Sequence, residues 1–339
     1  LELGVPSLLE VMELIASEEY RVLHVATPGP LGLAALISGL ILGIPVVGAY
    51  HTEFGAYARA LTDDPLVAEV VEVAVREFYE RCSAVAVPSQ ATALALRNRG
   101  YRIGNFEVLK NGVDGELFHP KRRDPALREK LGGGKKLLFY AGRVSREKDL
   151  DMLADGYLKL RDRRQDVHLV IAGDGPYRAQ LEARLGDAVT FTGFVRGEEL
   201  ARLFASCDIF VFPSTTDTLG RAVAEAQASG LPAIVCGAGG PRECIEPGES
   251  GFVAHAGDEE EFFEKVELLL DDGELREHMG RAAREVAQDM SWESVMEGLV
   301  ELHSRLAGIE PAKSSTIMRE TDFLLASSPA TATKGERSI

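Results

Sequence analysis

Cysteine is scarce in this chain of 339 residues: Cys82, Cys207, Cys236 and Cys244 stand singly. With no C-x-x-C pair and no histidines at metal spacing, they exclude a disulfide scaffold and a zinc module and read as reduced, mostly buried thiols. No dense basic run is present, and 53 acidic residues against 37 basic ones give a net charge of −16. That balance argues against general affinity for nucleic acid. A basic n-region with an apolar core and cleavage site is also missing, so no secretory signal is read. One stretch, Leu31 to Tyr50, carries no charge and is long enough to cross a bilayer. Its four glycines, Pro45 and the β-branched run after Leu42-Gly43 fit a buried helix followed by a buried strand better.

What is present is an ordinary globular composition, 45% hydrophobic, 7% aromatic and 27% charged, in a chain long enough for two domains. Short apolar runs alternate with helical segments. Strands are expected at Arg21–Ala26, Val46–Ala49 and Ala84–Val87, with helices near Pro30–Leu42, Pro65–Arg81 and Gln90–Arg99. Apolarity that is continuous rather than alternating indicates parallel strands covered on both faces. After a Gly-, Pro- and Asp-rich stretch from 111 to 134, a second series follows. Its strands are Lys136–Ala141, Val167–Ala172, Val189–Thr192, Ile209–Phe212 and Ala233–Cys236, with a helix after each of the first four. The second series makes a complete doubly wound α/β unit. The first domain opens without a strand and glycine-rich turn and starts at Leu1 rather than Met, so its beginning is expected to be missing.

The expected divisions are 1–120, a partial first domain; 121–290, the complete unit; 291–307, a helix with Trp292 crossing back to the first domain; and 308–339, a disordered tail in which Phe323-Leu324-Leu325 is a candidate docking segment.

Candidate functional residues cluster where strands end. Phe212-Pro213-Ser214-Thr215-Thr216-Asp217-Thr218-Leu219-Gly220 closes a strand and opens a helix containing Glu225. Free amides at a helix N-terminus, with Gly220 allowing close approach, suit an anion. On one helix Asp217 and Glu225 would stand roughly 12 Å apart. That is wider than the about 5–9.5 Å of a two-carboxylate glycosidase. The pair suits the two ends of an elongated ligand, although Asp217 is equally a helix cap and Glu225 a solvated residue. Gly142-Arg143-Val144-Ser145-Arg146-Glu147-Lys148 leaves the first strand of the complete unit. Arg143 can fork onto phosphate and Lys148 add a point charge, or the loop is merely solvated. Gly173-Asp174-Gly175 ends the next strand on the same edge, and Tyr50-His51-Thr52-Glu53 a strand of the first domain. Arg221 either reaches the same cleft or decorates its helix. Asp149-Leu150-Asp151 imitates a metal-binding D-x-D but opens a helix, where acids complement the dipole. Gly132–Gly134 and Gly237–Gly240 match neither a Walker loop nor a dinucleotide fingerprint, which disfavours a nicotinamide oxidoreductase.

Together and in order, TPGPLG at 27–32, YHTEF at 50–54, NGVD at 111–114, GRVSREK at 142–148, AGDGP at 172–176, FPSTTDTLG at 212–220, EAQASGLP at 225–232 and GGPRE at 239–243 resemble the retaining glycosyltransferases of family 4. The TTDT wording resembles their glycolipid-forming branch of sulfoquinovosyl, glucosyl and mannosyl diacylglycerol transferases; the usual acidic pair is Glu, seven residues, Glu, and here the first is Asp217. The resemblance implies a GT-B fold, two Rossmann-like domains facing a cleft with the N-terminal one truncated. It implies a UDP- or GDP-sugar in that cleft and a hexosyl acceptor such as diacylglycerol. Arg143 and Lys148 would neutralise the leaving diphosphate, helped by the amides of Thr218, Leu219 and Gly220. Glu225 would hold the ribose, Asp217 the transferred sugar, and His51 would contact it across the cleft. Further donor contacts are expected at Gly142, Gly173, Asp174, Gly175 and Val195. No metal or cofactor is expected, and the location implied is cytoplasmic, peripheral at the inner face of a membrane. The alternative is a catalytically incomplete nucleotide-sugar-binding fragment.

Overall fold

The computed structural model describes residues 5–52, 54, 58, 64–109 and 112–310. Most of the expected tail, with Phe323-Leu324-Leu325, lies outside them, as do Glu53 and Asn111 of two motifs. The first lobe runs α1 (Leu8–Ser17), β1 (Leu23–Val25), α2 (Pro30–Leu42), β2 (Val46–Ala49), α3 (Pro65–Glu80), β3 (Ala84–Val87), α4 (Gln90–Asn98) and β4 (Phe106–Val108). Its strands are all parallel in the order β1-β2-β3-β4. Every residue of β2 and β3 is buried, which is why neither segment alternates. Local chemistry sets the helix starts. The Asp64 carboxylate accepts from the Leu66 amide at 2.9 Å with Pro65 in the first turn, and Ser89 accepts from Thr92 at 3.1 Å.

The charge-free stretch resolves into α2, a left-handed turn at Gly43 (φ +71°) and β2. Among the described residues no helix is long and apolar enough to cross a membrane. Burial of α2 is one-sided, unlike the expectation. Leu36 is buried and Gly39 lies against Val46, whereas Leu31, Leu33, Leu40 and Ile41 are exposed. The sheet offers one contact face, and α1 covers only part of the other.

The second lobe contains α5 (Pro125–Gly132), β5 (Lys136–Ala141), α6 (Leu150–Arg163), β6 (Val167–Ala172), α7 (Arg178–Leu185), β7 (Val189–Gly193), α8 (Gly197–Ser206), β8 (Ile209–Phe212), α9 (Arg221–Ala228), β9 (Ala233–Cys236), β10 (Gly251–Ala254), α10 (Glu259–Asp271) and α11 (Gly273–Gln288). Its six strands are parallel in the order β10-β9-β8-β5-β6-β7. The chain builds outward from β5 in one direction and then restarts beside it with β8, so β5 and β8 flank the switch point where open α/β sheets bind ligands. Phe139, Phe204 and Phe210 are fully buried beneath it, the first two edge to face at 4.9 Å. Each such side chain stabilises the lobe by about 1.5–3 kcal/mol.

Helix α12 (Trp292–Ala307) returns to the first lobe. Leu302 is buried with Val47, Ala84 and Ala86 of β2 and β3. His303 lies 3.0 Å from His24, and Arg305 pairs with Glu107. Trp292 lies over Gly112, where any Cβ would come within 2.4 Å of the ring. A second tie joins the lobes directly: Glu243, after β9, accepts hydrogen bonds from the Gln90 and Ala91 amides at 2.9 and 2.7 Å. It caps α4 from across the cleft.

None of the four cysteines is in a disulfide among the described residues; three are buried and Cys82 is half-buried. Burial pushes Cys236 up to about 11 and Cys82 up to about 12, which keeps them protonated.

Candidate functional site

The loop after β5 is fixed by its own polar atoms. The Tyr140 hydroxyl donates to the Arg143 carbonyl at 3.0 Å, and the Ser145 hydroxyl to Glu147 at 2.6 Å. Residues Arg146–Lys148 form one tight helical turn, and Asp149 then takes a left-handed conformation at φ +55°. This conformation is strained for a residue with a side chain. It directs the Asp149 carboxylate to the loop after β8, where it accepts from the Thr215 amide at 2.9 Å and hydroxyl at 2.6 Å. The Thr216 hydroxyl donates back to the Glu147 carbonyl at 2.7 Å. Asp149 makes no cap bond to its own helix. The expected dipole role is thus replaced by a staple between two loops. Asp151 turns elsewhere, to Tyr177 and Arg184.

Across that staple the Lys148 ammonium meets the Asp217 carboxylate at 2.8 Å. The other Asp217 oxygen accepts from the Leu219 and Gly220 amides at 3.2 and 2.9 Å. The amides expected to be free are therefore partly occupied. A short carboxylate two and three residues before them completes the turn locally, and of the three amides only that of Thr218 has no hydrogen-bond partner among the described residues. Burial would raise the Asp217 pKa, but Lys148 and these amides outweigh it and hold the carboxyl below its ordinary value. Glu225 behaves oppositely. It is 7% exposed, and burial raises its pKa despite an Arg221 guanidinium at 3.1 Å. Helix α9 begins only at Arg221, so Asp217 precedes the helix that carries Glu225 and the one-helix spacing does not apply to the pair.

Gly173 shows how tightly the neighbouring loop is seated. A Cβ there would stand 1.8 Å from the Gly142 carbonyl oxygen, at φ +148°. Gly239 and Gly240, which form no dinucleotide fingerprint, brace the loop after β8 instead: their Cβ positions would meet the carbonyl oxygens of Asp217 and Thr218 at 2.3 and 2.2 Å.

These loops enclose a cavity of about 610 Å³ at the β5/β8 switch point. Of the expected site residues, Gly142, Arg143, Lys148, Gly173, Asp174, Val195, Asp217, Leu219 and Glu225 line it together. Gly175, Thr218 and Gly220 lie on the same loops but not on the wall; Gly175 packs against the Val144 carbonyl and Gly220 against Pro241. His51 is not brought to the cavity. It stands exposed at the exit of β2, where partial desolvation lowers its pKa, within electrostatic reach of His24. The wall also carries Phe194, Arg196 and Arg221. Phe194 and Arg196 leave β7 on the same carboxyl edge, the one sequence signal that marks them. Among the described residues no cluster of three His, Cys, Asp or Glu side chains is arranged to hold a metal.

Two family profiles fit this chain, Glycosyltransferase Family 4 over residues 2–117 and Glycosyl transferases group 1 over residues 121–286. The GDP-mannose-dependent alpha-mannosyltransferase of Corynebacterium glutamicum is 34% identical over 304 residues, 89% of this chain and 71% of that protein. The chain belongs to glycosyltransferase family 4. Another relative of this family 4 chain is the sulfoquinovosyl transferase SQD2 of Arabidopsis thaliana, 34% identical over 300 residues, 85% of the chain. The family 4 chain spans 58% of SQD2's length. The alpha-monoglucosyldiacylglycerol synthase of Streptococcus pneumoniae is 29% identical, over 67% of the chain and 54% of that protein. In fold, the family 4 chain is similar to Anabaena HepE, solved in complex with UDP, with a TM-score of 0.72 and 22% identity over 88% of this chain and 82% of that one. All cavity residues fall within the group 1 span, and His51 within the other.

Proposed function

We propose that the cavity holds a nucleoside-diphosphate sugar and that the enzyme moves its hexosyl group, with retention at the anomeric carbon, to an acceptor such as diacylglycerol. The observation that carries this reading is the convergence of Arg143, Lys148, Asp217 and Glu225 on one cavity at the switch point of the sheet. As the bond from the anomeric carbon to the phosphate oxygen breaks, negative charge accumulates on the departing diphosphate. Arg143 and Lys148 meet that charge where it develops, so they stabilise the transition state more than the bound donor. Because these cations carry the charge, the step is proposed to need no metal.

Glu225, buried and at the base of the wall, accepts the ribose hydroxyls. Phe194, exposed at the mouth, offers a face to the base. Asp217 orients the hydroxyls of the sugar while Lys148 reaches the phosphate beside it. The acceptor hydroxyl attacks on the face the diphosphate leaves, and its proton passes to the departing phosphate oxygen. The names of the relatives support this donor and acceptor class, as does the fold shared with a UDP-bound protein. A lipid acceptor would place the enzyme at the inner membrane face, attached peripherally.

Turnover of UDP-glucose and GDP-mannose with diacylglycerol in micelles, with and without EDTA, tests the proposal. An α-linked product formed in EDTA supports it; a β-linked product or strict metal dependence contradicts it. The alternative is a donor-binding chain without activity of its own. That reading predicts UDP binding with no turnover.

A further inference from the structure

On the opposite edge of the second sheet, below the amino ends of β5, β8 and β9, lies an open basin of about 660 Å³. Its walls carry Arg123, Arg128, Lys136, Arg276, Arg281 and Arg284 against only Asp208, Glu277 and Glu285. In a chain of net charge −16 this reversal of sign is local and specific. The basic residues divide into two groups by what they touch. Arg284 donates to the carbonyls of Gly115, Phe118 and Ala228 at 3.1, 3.1 and 2.7 Å, so it knits three segments together. Arg128 holds the Ser206 and Lys135 carbonyls and pairs with Asp208 at 2.7 Å. Arg276 closes the end of α10 on the Leu269 carbonyl. These three build the walls.

The other three are open. Among the described residues, no side-chain hydrogen bond or ion pair within 4.0 Å engages Arg123, Lys136 or Arg281. Glu277 and Glu285, one helical turn to either side of Arg281, stand beyond that distance, and Lys136 feels Asp166 only through space. The floor between them is Pro120, Cys207, Leu231 and Pro232, which offers no competing anion. Leu231 and Pro232 follow the C-terminal end of α9, whose first residue, Arg221, and fifth, Glu225, line the donor cavity. The eight residues of the helix rise roughly 12 Å between Arg221 and the basin.

We propose that this basin is a second anion site, separate from the donor cavity, that takes a small ligand bearing a chain of phosphates. Three unengaged cations around one concavity match several adjacent phosphates rather than one, and guanidinium forks suit phosphate oxygens. The open basin is too small for a nucleic acid duplex.

Calorimetry on the full chain with inorganic tripolyphosphate tests this, with orthophosphate as the single-phosphate probe. Wild type binds tripolyphosphate, and Arg143→Ala/Lys148→Ala, which disarms the donor cavity, retains that binding. Arg123→Glu/Arg281→Glu weakens it at least tenfold while keeping wild-type circular dichroism and UDP affinity. Absence of binding to wild type overturns the proposal. So does equal binding by the Arg123→Glu/Arg281→Glu variant, loss confined to the donor-cavity variant, or orthophosphate binding as tightly as tripolyphosphate. Because UDP affinity is read separately, failure here leaves the donor-site reading standing, and the reverse.

Discussion

Lys148 and Asp217, 69 residues apart, meet at 2.8 Å where two strand exits converge. Each is less than a quarter exposed, so the pair is partly shielded from water. Asp217 fixes the Lys148 ammonium at the cavity wall, and Lys148 in turn helps hold the carboxylate ionised.

Lys148→Ala removes the cation nearest the expected leaving group. Turnover should fall about 10²–10³-fold, the scale of losing one fixed transition-state partner. The circular dichroism spectrum should not change, since the side chain supports no core. Near wild-type kcat would remove Lys148 from the reaction.

Glu225→Ala should act mainly on nucleotide affinity, because the carboxylate is expected to accept two ribose hydroxyls. A loss of about 1.5–3 kcal/mol is the scale for hydrogen bonds to a charged group. The pKa of Glu225 is raised by burial above the ordinary 4.5. UDP affinity of the wild type should accordingly weaken on acidification before pH reaches that value, and Glu225→Gln should flatten the profile. Calorimetry across pH reads both.

The Asp217 carboxyl is shifted in the opposite direction, and its depressed pKa gives a stability prediction. A folded-state pKa below the ordinary 3.8 means the folded chain resists protonation more than the unfolded one. The stabilisation is complete above 3.8 and disappears as pH falls through the lowered value. Melting temperature between about pH 5 and about pH 3 should drop more steeply for wild type than for Asp217→Asn. Parallel curves would show that the ion pair contributes nothing.

Glu243→Ala deletes the carboxylate that caps α4 from the other lobe. Loss of such a cap costs about 0.5–2 kcal/mol. Amide exchange should accelerate at Gln90 and Ala91 while the six-stranded sheet keeps its protection. Unchanged exchange there would mean the lobes do not close through this contact.

Much of the second lobe is legible because β8 and β9 are unbroken apolar runs, as are β5 after Lys136 and β6 after His168, between helices with clear ends. The four-residue β10, set among glycines, and the short β4 carry no such signal, and α1 was not anticipated. Site residues could be assigned to strand exits, but their meeting depends on β8 returning beside β5, a crossover no local pattern records. Asp149 was misjudged for that reason, as its partner Thr215 lies 66 residues away. The capping of Leu219 and Gly220 by Asp217 was within reach of local spacing, yet that spacing fits a cap and a ligand-binding acid equally well.

The central claim is that the 142–148, 172–174 and 217–225 segments form one nucleotide-diphosphate site. Hydrogen exchange of the full chain with and without saturating UDP or GDP tests it most directly. Protection confined to those three segments, with Lys148→Ala/Glu225→Ala showing none, is the expected result. Protection located elsewhere, or undiminished in the double variant, would contradict the account.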